Sequence, residues 1–438
     1  MEHRRGFQRI PYAPRFLCGI LLLSVLMLPG CSDRAAIAED AVSGNSGTIP
    51  TSMETIAVLD YAIPYQQPGL VVDRTGYSDT GNKIAYVTGE TLPGRFALVE
   101  DTTGETVYEG DLETVNLDGV VIPGVALADF GRWQTPGTYH LECTHVGHSY
   151  SFEIREGYYQ SRYENALAAL KPRVENATAS ARNVMYLLQS CEWNAEIVPD
   201  EDGDKIPDEL YAVERWIAGI DYENIPEEQV NEYVAVLAKF SYLYQNYNVK
   251  LATECLQKAA SLYQQSKNVL SEDAYSFRAL TELYRASGQY SYRQEIEDYS
   301  SYFPNHTGYM DQEGYLFGAM TYMVTRQRVD TKLCTTFMNN MLGTAEEVGN
   351  RKKEMLTPGL DRNNGEAELL LSAQQLICAN YVLEGVQYND MLEEILHYLS
   401  GCNTASLTYE ITEENEGRYL LLYGWLYRLE QEGMIMDR

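Results

Sequence analysis

The stretch that decides the fold class is Val230-Asn-Glu-Tyr-Val-Ala-Val-Leu-Ala-Lys-Phe-Ser-Tyr-Leu-Tyr244. Its large apolar residues recur at intervals of four, three, three and four positions, which places them on one face of an α-helix. These residues are Val230, Val234, Leu237, Phe240 and Tyr244. A face of this width predicts a helix that packs against other helices rather than one that stands in water.

Helical spacing continues on both sides of this stretch, from about residue 158 to the end of the chain. Pro207 and Pro226 stand where first-turn prolines belong, and Gly288 follows a helix as a stop signal. Further helices are predicted at 313–325, 329–348, 365–384, 387–400 and 416–432. About twelve helices with almost no strand leave two architectures open, a solenoid of helical repeats and a closed α/α barrel. No fixed period of about 34 residues, which tetratricopeptide-like repeats need, is present.

The region before the helices has the pattern of a β-sandwich. Ile84–Val87 and Arg95–Val99 are short strand-like runs between turn residues. Apolar residues alternate at Tyr139, Leu141 and Cys143, and several such short strands with regular turns are typical of a sandwich. We therefore divide the chain into a signal peptide (1–30), a flexible tether (31–55), a β-sandwich (56–156) and a helical domain (157–438).

The start of the chain has the marks of an export signal. Its first 15 residues contain four arginines, and the apolar run Phe16–Leu28 is shorter than the ~20 residues that span a bilayer as a helix. The run ends in Leu28-Pro-Gly-Cys31, which resembles the lipobox of bacterial lipoproteins. We predict that the chain is exported and anchored to a membrane, facing outside, by a lipid on Cys31. The alternative is a plain signal peptide that happens to contain a cysteine.

Composition excludes one class of partner. The formal net charge is −30, and loss of residues 1–30, with four Arg and one Glu, would leave −33. Nucleic acid is excluded as a partner, because its recognition needs a basic surface. Tyrosine occurs 35 times against 10 phenylalanines. Tyrosine suits both stacking on sugar rings and half-buried positions between helices.

Several motifs of the sandwich region carry a resemblance to a known family. They follow one another as Gly69-Leu-Val-Val-Asp-Arg-Thr-Gly-Tyr77, Asn82-Lys-Ile-Ala-Tyr-Val87, Phe96-Ala-Leu-Val-Glu-Asp101 and Thr135-Pro-Gly-Thr-Tyr139. The series resembles the N-terminal immunoglobulin-like domain that precedes the catalytic domain in many cellulases of glycoside hydrolase family nine.

The helical region continues this resemblance. Lys205-Ile-Pro-Asp-Glu-Leu210 with Arg215-Trp216, then Glu282-Leu-Tyr-Arg-Ala-Ser-Gly288, then Tyr398-Leu-Ser-Gly-Cys-Asn403 are similar to family segments in the same order. The family's catalytic domain is an α/α barrel of six helix pairs. The resemblance thus implies a multidomain α and β protein, an immunoglobulin-like β-sandwich followed by a shortened all-α barrel, and it favours the barrel over the solenoid.

An inverting glycosidase needs two carboxyl groups, an acid that protonates the leaving oxygen and a base that activates water. The resemblance places the base in an Asp-Ala-Gly-Asp motif, which this sequence lacks, and the acid in Asn415-Glu416. A His-containing loop between Asn403 and Asn415 is also absent. Glu416 is the candidate acid. The alternative is an ordinary glutamate in the first turn of a helix, where the helix dipole favours it.

Two further candidate sites follow from the sequence. Asp200, Asp202, Asp204 and Asp208 surround a Gly turn and resemble the calcium loops of exported bacterial proteins, so they are candidate Ca²⁺ ligands. The same aspartates also fit a solvated acidic loop. Trp193 is predicted to lie in a loop where the family's cleft would be, as a stacking platform for substrate.

The functional prediction is a surface lipoprotein that binds or degrades polysaccharide of the β-glucan type and whose catalytic site is degenerate. One alternative is an active inverting β-glucanase that uses Glu416 as its acid. A second is a non-catalytic scaffold subunit of a surface glycan-uptake complex, with protein partners at the cell surface. A carboxylate ~6.5–9.5 Å from Glu416 across an open groove would favour the active enzyme.

Overall fold

The computed structural model describes residues 69–195, 197, 200, 203–266, 274–299, 308–361 and 365–434. The predicted lipidation site Cys31 and the predicted calcium ligand Asp202 lie outside these residues. Within them, strands come first and helices follow.

Nine strands form one antiparallel sheet, apart from the parallel pairing of the second strand with the ninth. The spatial order is β1-β3-β6-β5-β4-β7-β9-β2, with β8 paired to β7. The strands are β1 (Leu70–Val71), β2 (Tyr77–Ser78), β3 (Ile84–Thr88), β4 (Arg95–Glu100), β5 (Thr106–Leu117), β6 (Val120–Asp129), β7 (Gly137–Cys143), β8 (Gly147–His148) and β9 (Phe152–Arg155).

The sheet is folded into two layers by a single long strand. β5 pairs with β4 along Thr106–Asp111 and with β6 along Leu112–Leu117, so it leaves one layer and enters the other at its middle. Side chains of both layers share one apolar core, in which Val87, Leu98 and Ile154 are buried. The predicted β-sandwich is confirmed.

Thirteen α-helices follow in the described part of the chain. None of them is both long enough and apolar enough to cross a bilayer. They are α1 (Tyr158–Glu175), α2 (Ala181–Trp193), α3 (Asp208–Ala218), α4 (Val230–Tyr244), α5 (Val249–Ser266), α6 (Ala274–Ser287), α7 (Tyr290–Asp298), α8 (Glu313–Val324), α9 (Thr331–Asn350), α10 (Lys352–Leu356), α11 (Glu366–Leu383), α12 (Asn389–Leu399) and α13 (Glu416–Gln431).

Six of these helices form a closed inner ring. α2 packs on α4, α4 on α6, α6 on α8, α8 on α11, α11 on α13, and α13 returns to α2. The helices α1, α3, α5, α7, α9 and α12 form the outer layer. An inner helix such as α2 is buried along almost its whole length, whereas the outer helix α5 buries one face. The closed ring confirms the α/α barrel, because the first and last units of a solenoid do not meet.

Two glycines bring α8 against α6. A Cβ atom on Gly314 would lie 2.3 Å from the backbone carbonyl carbon of Ala274, and one on Gly318 would lie 2.7 Å from Cδ1 of Phe277. Gly314 and Gly318 are four positions apart and therefore share one face of α8. These inner helices pack closely because that face carries no side chains.

The sandwich contacts the barrel through α12. The imidazole of His397 has Nδ1 2.9 Å from Oδ2 of Asp73 and Nε2 2.8 Å from the carbonyl oxygen of Asn82. The carboxyl of Glu393 accepts a hydrogen bond of 2.5 Å from the Tyr159 hydroxyl and two of 3.3 Å from the Asn82 backbone N–H. Asp73, Asn82, Tyr159, Glu393 and His397 are all buried, so polar bonds in a dry interface join the two regions.

Candidate functional site

The first turns of the inner helices meet at one end of the ring, which we call the N-terminal rim. Its contacts link neighbouring helices by polar side chains. They are Arg182 to Glu232 (2.8 Å), Arg182 over the Tyr275 ring (4.9 Å to its centroid), Tyr275 to Glu313 (3.1 Å), Arg418 to Glu313 (2.7 Å), Tyr419 to Glu366 (2.7 Å) and Asn183 to Glu416 (2.8 Å). Glutamates begin α8, α11 and α13 because the positive end of a helix dipole stabilises a carboxylate there.

Glu416, the candidate acid, is the first residue of α13 and is only 9% exposed. Its Oε1 accepts hydrogen bonds from Nη1 of Arg173 at 2.6 Å and from Nδ2 of Asn183 at 2.8 Å. Burial raises the pKa of the Glu416 carboxyl above its ordinary value, although the charge of Arg173 opposes the rise; the charge of Glu413 adds to it. A raised pKa is the property that a general acid needs. The catalytic role of Glu416 stays a prediction.

The residue opposite Glu416 on α2 is an amide. Only residues 176–180 connect α1 to α2, and the Asp-Ala-Gly-Asp sequence is absent. The side chain of Asn183 donates through Nδ2 to both Glu416 and the carbonyl oxygen of Glu413, at 2.7 Å. The carboxylate of Glu413 pairs with Arg173 at 3.0 Å, and its side chain is 80% exposed. An amide cannot take a proton from water near neutral pH, so Asn183 is no general base.

A cavity of about 440 Å³ opens in the rim beside Arg418. The beginnings of α6, α8, α11 and α13 line it, with Tyr275, Glu313, Glu368, Leu371 and Arg418 among the lining residues. Burial alone would raise the pKa of Glu313, but the ion pair with Arg418 and further hydrogen bonds outweigh burial and lower it. Glu313 is therefore an anion at neutral pH, and the cavity presents both charges beside an aromatic ring.

Trp193 does not lie in the predicted loop. It is the last residue of α2, because the apolar face of this helix extends to it and Asn194 follows as the C-cap. Its side chain is 4% exposed and packs against Phe317, Tyr381 and Trp425, with ring centroids 5.5–6.1 Å apart. No face of this ring is open to a sugar in the described structure.

The predicted calcium ligands are engaged in turn and surface contacts. Asp200 and Asp204 accept hydrogen bonds from backbone N–H groups of their own turn, and Asp208 lies 3.5 Å from Nζ of Lys171. Within the residues described, no three His, Cys, Asp or Glu side chains are grouped so that they could hold a metal ion. Because Asp202 is outside the described residues, the calcium site stays a prediction.

Two residues of this site carry no sequence signal of their own. Arg173 lies in the last turn of α1, where a cation is ordinary, and Asn183 follows the Ser180 N-cap, whose Oγ accepts its backbone N–H. Arg173 and Glu416 are 243 positions apart. Only the rule that a buried carboxylate needs a cation or hydrogen-bond donors would have pointed to such partners.

Comparison with known proteins places both regions in one family. Residues 65–148 match the family model of the cellulase N-terminal ig-like domain, and residues 152–415 match that of glycosyl hydrolase family 9. No curated protein sequence matches the chain.

Solved structures share the fold. A metagenome-derived glycoside hydrolase family 9 endoglucanase has a TM-score of 0.66 at 15% identity, over 78% of this chain and 84% of that chain. A Bacteroides ovatus family 9 protein has a TM-score of 0.62 at 14% identity, over 83% and 99%. AaCel9A, in complex with cellobiose-like isofagomine, has 0.61 at 15% identity, over 78% and 84%. Because the family 9 match extends over more than half of its residues, this chain belongs to glycoside hydrolase family 9.

Proposed function

We propose that the chain binds a polysaccharide of the β-glucan type at the N-terminal rim without hydrolysing it. The observation that carries this proposal is the bonding of Glu416. Its Oε1 is held by Arg173 and Asn183, and the side chain that α2 places against it is an amide, which cannot act as a base. An acid held in this way, with no Asp-Ala-Gly-Asp motif in the sequence, supports a barrel that binds a sugar chain without activating water.

The cavity and the fold's relatives support this ligand class. A volume of about 440 Å³ lies within the ~300–1,000 Å³ that is typical of small-molecule pockets. Tyr275, Glu368 and Arg418 offer one aromatic ring and several hydrogen-bonding groups, the combination that suits a ring with many hydroxyls. AaCel9A, which shares the fold, is complexed with a cellobiose-like isofagomine.

Binding is tested by calorimetric titration of the purified chain with cello-oligosaccharides. Leu371→Trp fills the cavity from α11 and is expected to weaken binding at least tenfold. Leu383→Trp places the same side chain on an exposed position of the same helix, away from the cavity, and is expected to bind as the wild type does. Equal affinities of both variants would contradict the cavity as the binding site.

The raised pKa of Glu416 favours a second candidate, an active β-glucanase. Release of reducing ends from soluble β-glucan, measured for the wild type and for Glu416→Gln, separates the two. We expect no release from either. Hydrolysis by the wild type that Glu416→Gln abolishes would contradict the binding proposal and establish the enzyme. If neither hydrolysis nor binding is observed, the scaffold role remains.

We further propose that Cys31 carries the lipid that holds the chain at the outer face of a membrane. The lipobox-like Leu28-Pro-Gly-Cys31 supports this anchor. Cys31→Ser is expected to move the chain from the membrane fraction to the soluble fraction and to abolish labelling by radioactive palmitate. A chain that stays unlabelled in the wild type would contradict the anchor.

A further inference from the structure

The guanidinium of Arg278 is buried inside the barrel and has no acceptor among the described residues. The residue lies in the second turn of α6 and is 1% exposed. None of its Nε, Nη1 and Nη2 atoms has a hydrogen-bond partner among the described residues. Its Cζ lies 4.5 Å from the ring centroid of Phe317, which covers one face of the guanidinium but satisfies none of its N–H groups. A buried cation in this condition is costly unless an anion or other acceptor joins it.

Other unpaired donors lie around the same axis. Gln374 on α11 is 1% exposed, and neither its Nε2 nor its Oε1 has a partner in the described structure. The indole Nε1 atoms of Trp193 and Trp425 are likewise buried without acceptors among these residues. The charge of Arg278 acts on Cys378, which is one helical turn after Gln374 on the same face of α11. The barrel interior near α6 and α11 therefore contains several donors that have no acceptor in the described structure.

No neighbouring carboxylate of the described structure accepts a hydrogen bond from Arg278. Lys239 and Arg285 pair with Glu192, and Lys239 is also 3.5 Å from Glu282, so two cations face two anions. The oxygens of Glu313 are likewise engaged, one with Nε of Arg418 and the other with the Tyr275 hydroxyl. The charge of Arg278 helps to lower the pKa of Glu313, but its guanidinium donates a hydrogen bond neither to this carboxylate nor to any other acceptor among the described residues.

The cavity of the N-terminal rim lies about one helical turn from this charge. Ala274 and Tyr275 line the cavity of the N-terminal rim, and Arg278 follows them by four and three positions on α6. Leu371 also lines the cavity, and Gln374 follows it by three positions on α11. Arg278 and Gln374 therefore lie about 5 Å, one helical turn, further along the axis than the cavity wall.

We propose that Arg278 and Gln374 bind one small anion in the barrel axis, a halide ion or the carboxylate of a small acid. The planar guanidinium presents several N–H groups in one direction and is weakly hydrated, which suits a desolvated anion. The carboxamide Nε2 of Gln374 adds a neutral donor. This site does not depend on glycan binding or on catalysis at the rim.

Thermal unfolding of the full chain in matched salts tests the proposal. Sodium chloride and sodium acetate are compared with sodium HEPES, whose anion is much larger than either, at equal ionic strength. In the wild type we expect chloride or acetate to raise the unfolding midpoint to a plateau, because an anion bound only by the folded state stabilises it. A response to chloride alone assigns a halide site, and a response to acetate assigns a carboxylate site.

Arg278→Met removes the charge and keeps the length of the side chain. We expect this variant to lose the anion-dependent shift and, in HEPES, to be at least as stable as the wild type. Arg215→Met, at an exposed position, is expected to keep the shift. Midpoints of the wild type that are equal in all three salts would overturn the proposal.

A second measurement serves if Arg278→Met does not fold. Crystals of the wild type grown in bromide are expected to show an anomalous peak in contact with the Arg278 guanidinium and Gln374. Diffraction without such a peak, with only water at the guanidinium, would also overturn the proposal.

Discussion

At the scale of single residues, two side chains hold Glu416 in place at the N-terminal rim. Arg173 supplies a charge and Asn183 a neutral donor, and both contact the same oxygen atom, Oε1. Burial still raises the pKa of the carboxyl. Glu416 thus combines an acid's environment with a structural task, the joining of α13 to α1 and α2.

Asn183→Asp is a direct test of this arrangement. The substitution loses two Nδ2 hydrogen bonds and places a second carboxylate against Glu416, so we expect the free energy of unfolding to fall by about 1–3 kcal/mol at neutral pH. We expect no hydrolysis, because contact distance is far below the ~6.5–9.5 Å of an inverting pair. Urea unfolding and a reducing-end assay provide the two readings, with Asn339→Asp, at an exposed position of α9, as the control.

Sequence reasoning reached some of these residues and missed others for physical reasons. Glu416 was accessible because Asn415-Glu416 opens an apolar helical pattern. The family resemblance predicts Trp193 in a loop at the cleft, whereas its burial depends on Phe317 and Trp425, which are far away in sequence. Arg278 gave no signal at all, since arginine at a helical position is ordinarily solvated.

At the scale of elements, the contact of α6 with α8 sets the width of the barrel on that side. Gly314 and Gly318 present a bare helix surface to α6, and added atoms would meet the backbone of Ala274 or the ring of Phe277. Glycine in a helix interior costs about 1 kcal/mol relative to alanine. This cost is accepted here because the closer packing requires it.

Gly318→Ala and Gly343→Ala form a matched pair that tests this packing. At Gly318 the new methyl would clash, so we expect the unfolding midpoint to fall, with a loss of about 1–3 kcal/mol. Gly343 lies on the exposed side of α9 with nothing within 4 Å, so alanine there is expected to add about 0.5–1 kcal/mol. Chemical denaturation of both variants gives the comparison. Equal stabilisation by both would refute the close approach.

The elements that sequence reasoning located are those with a clear period. The helices near 313–325, 365–384 and 416–432 agree with α8, α11 and α13 within two residues. β5 escaped because its alternation changes phase at Glu113-Thr114: the less exposed positions are even-numbered just before this point and odd-numbered after it. The two-residue strands β1 and β2 are too short for any alternation to be read.

At the scale of the whole molecule, the sandwich and the barrel are joined by two buried groups whose pKa values are raised, Glu393 and His397. Burial raises the pKa of Glu393 to about 7, while the Tyr159 hydroxyl and the charge of His397 oppose the rise. Burial by itself would lower the pKa of His397. The hydrogen bond to Asp73 and the charge of Asp73 outweigh burial, so the pKa is raised. Both groups therefore hold protons more tightly in the folded chain than in the unfolded one.

This proton uptake predicts that stability falls as the pH rises. Between its unfolded pKa of 4.5 and its folded pKa of about 7, Glu393 binds more protons in the folded chain than in the unfolded chain. Its contribution to the free energy of unfolding is therefore lost as the pH rises through that range. The contribution of His397 is present below its unfolded pKa and is lost as the pH rises through the folded value. We expect Glu393 to account for about 2–3 kcal/mol of the decline.

Glu393→Gln removes the titration and keeps the shape of the side chain. Urea unfolding at pH 5 and pH 8 is expected to show a smaller decline for this variant than for the wild type. Glu354→Gln, at an exposed position of α10, is expected to behave as the wild type does. An undiminished decline in Glu393→Gln would contradict the assignment.

More of the fold than of the candidate site can be predicted from the sequence. The sandwich and the ring follow from patterns and from motifs such as Lys205–Leu210, which lie close together in the chain. The bonding of Glu416 does not, because Arg173, 243 positions away, reaches it only when the ring has closed. Local periodicity contains no information about such a meeting.

The return of α13 to α2 has a consequence for how the chain acquires its structure. As the ribosome adds residues, α2 and α11 emerge with apolar faces whose partner, α13, does not yet exist. Joining segments so far apart costs much loop-closure entropy and slows folding. A nascent chain that stops before residue 416 would be an open arc with two uncovered edges, a natural substrate for chaperones and a hazard for aggregation.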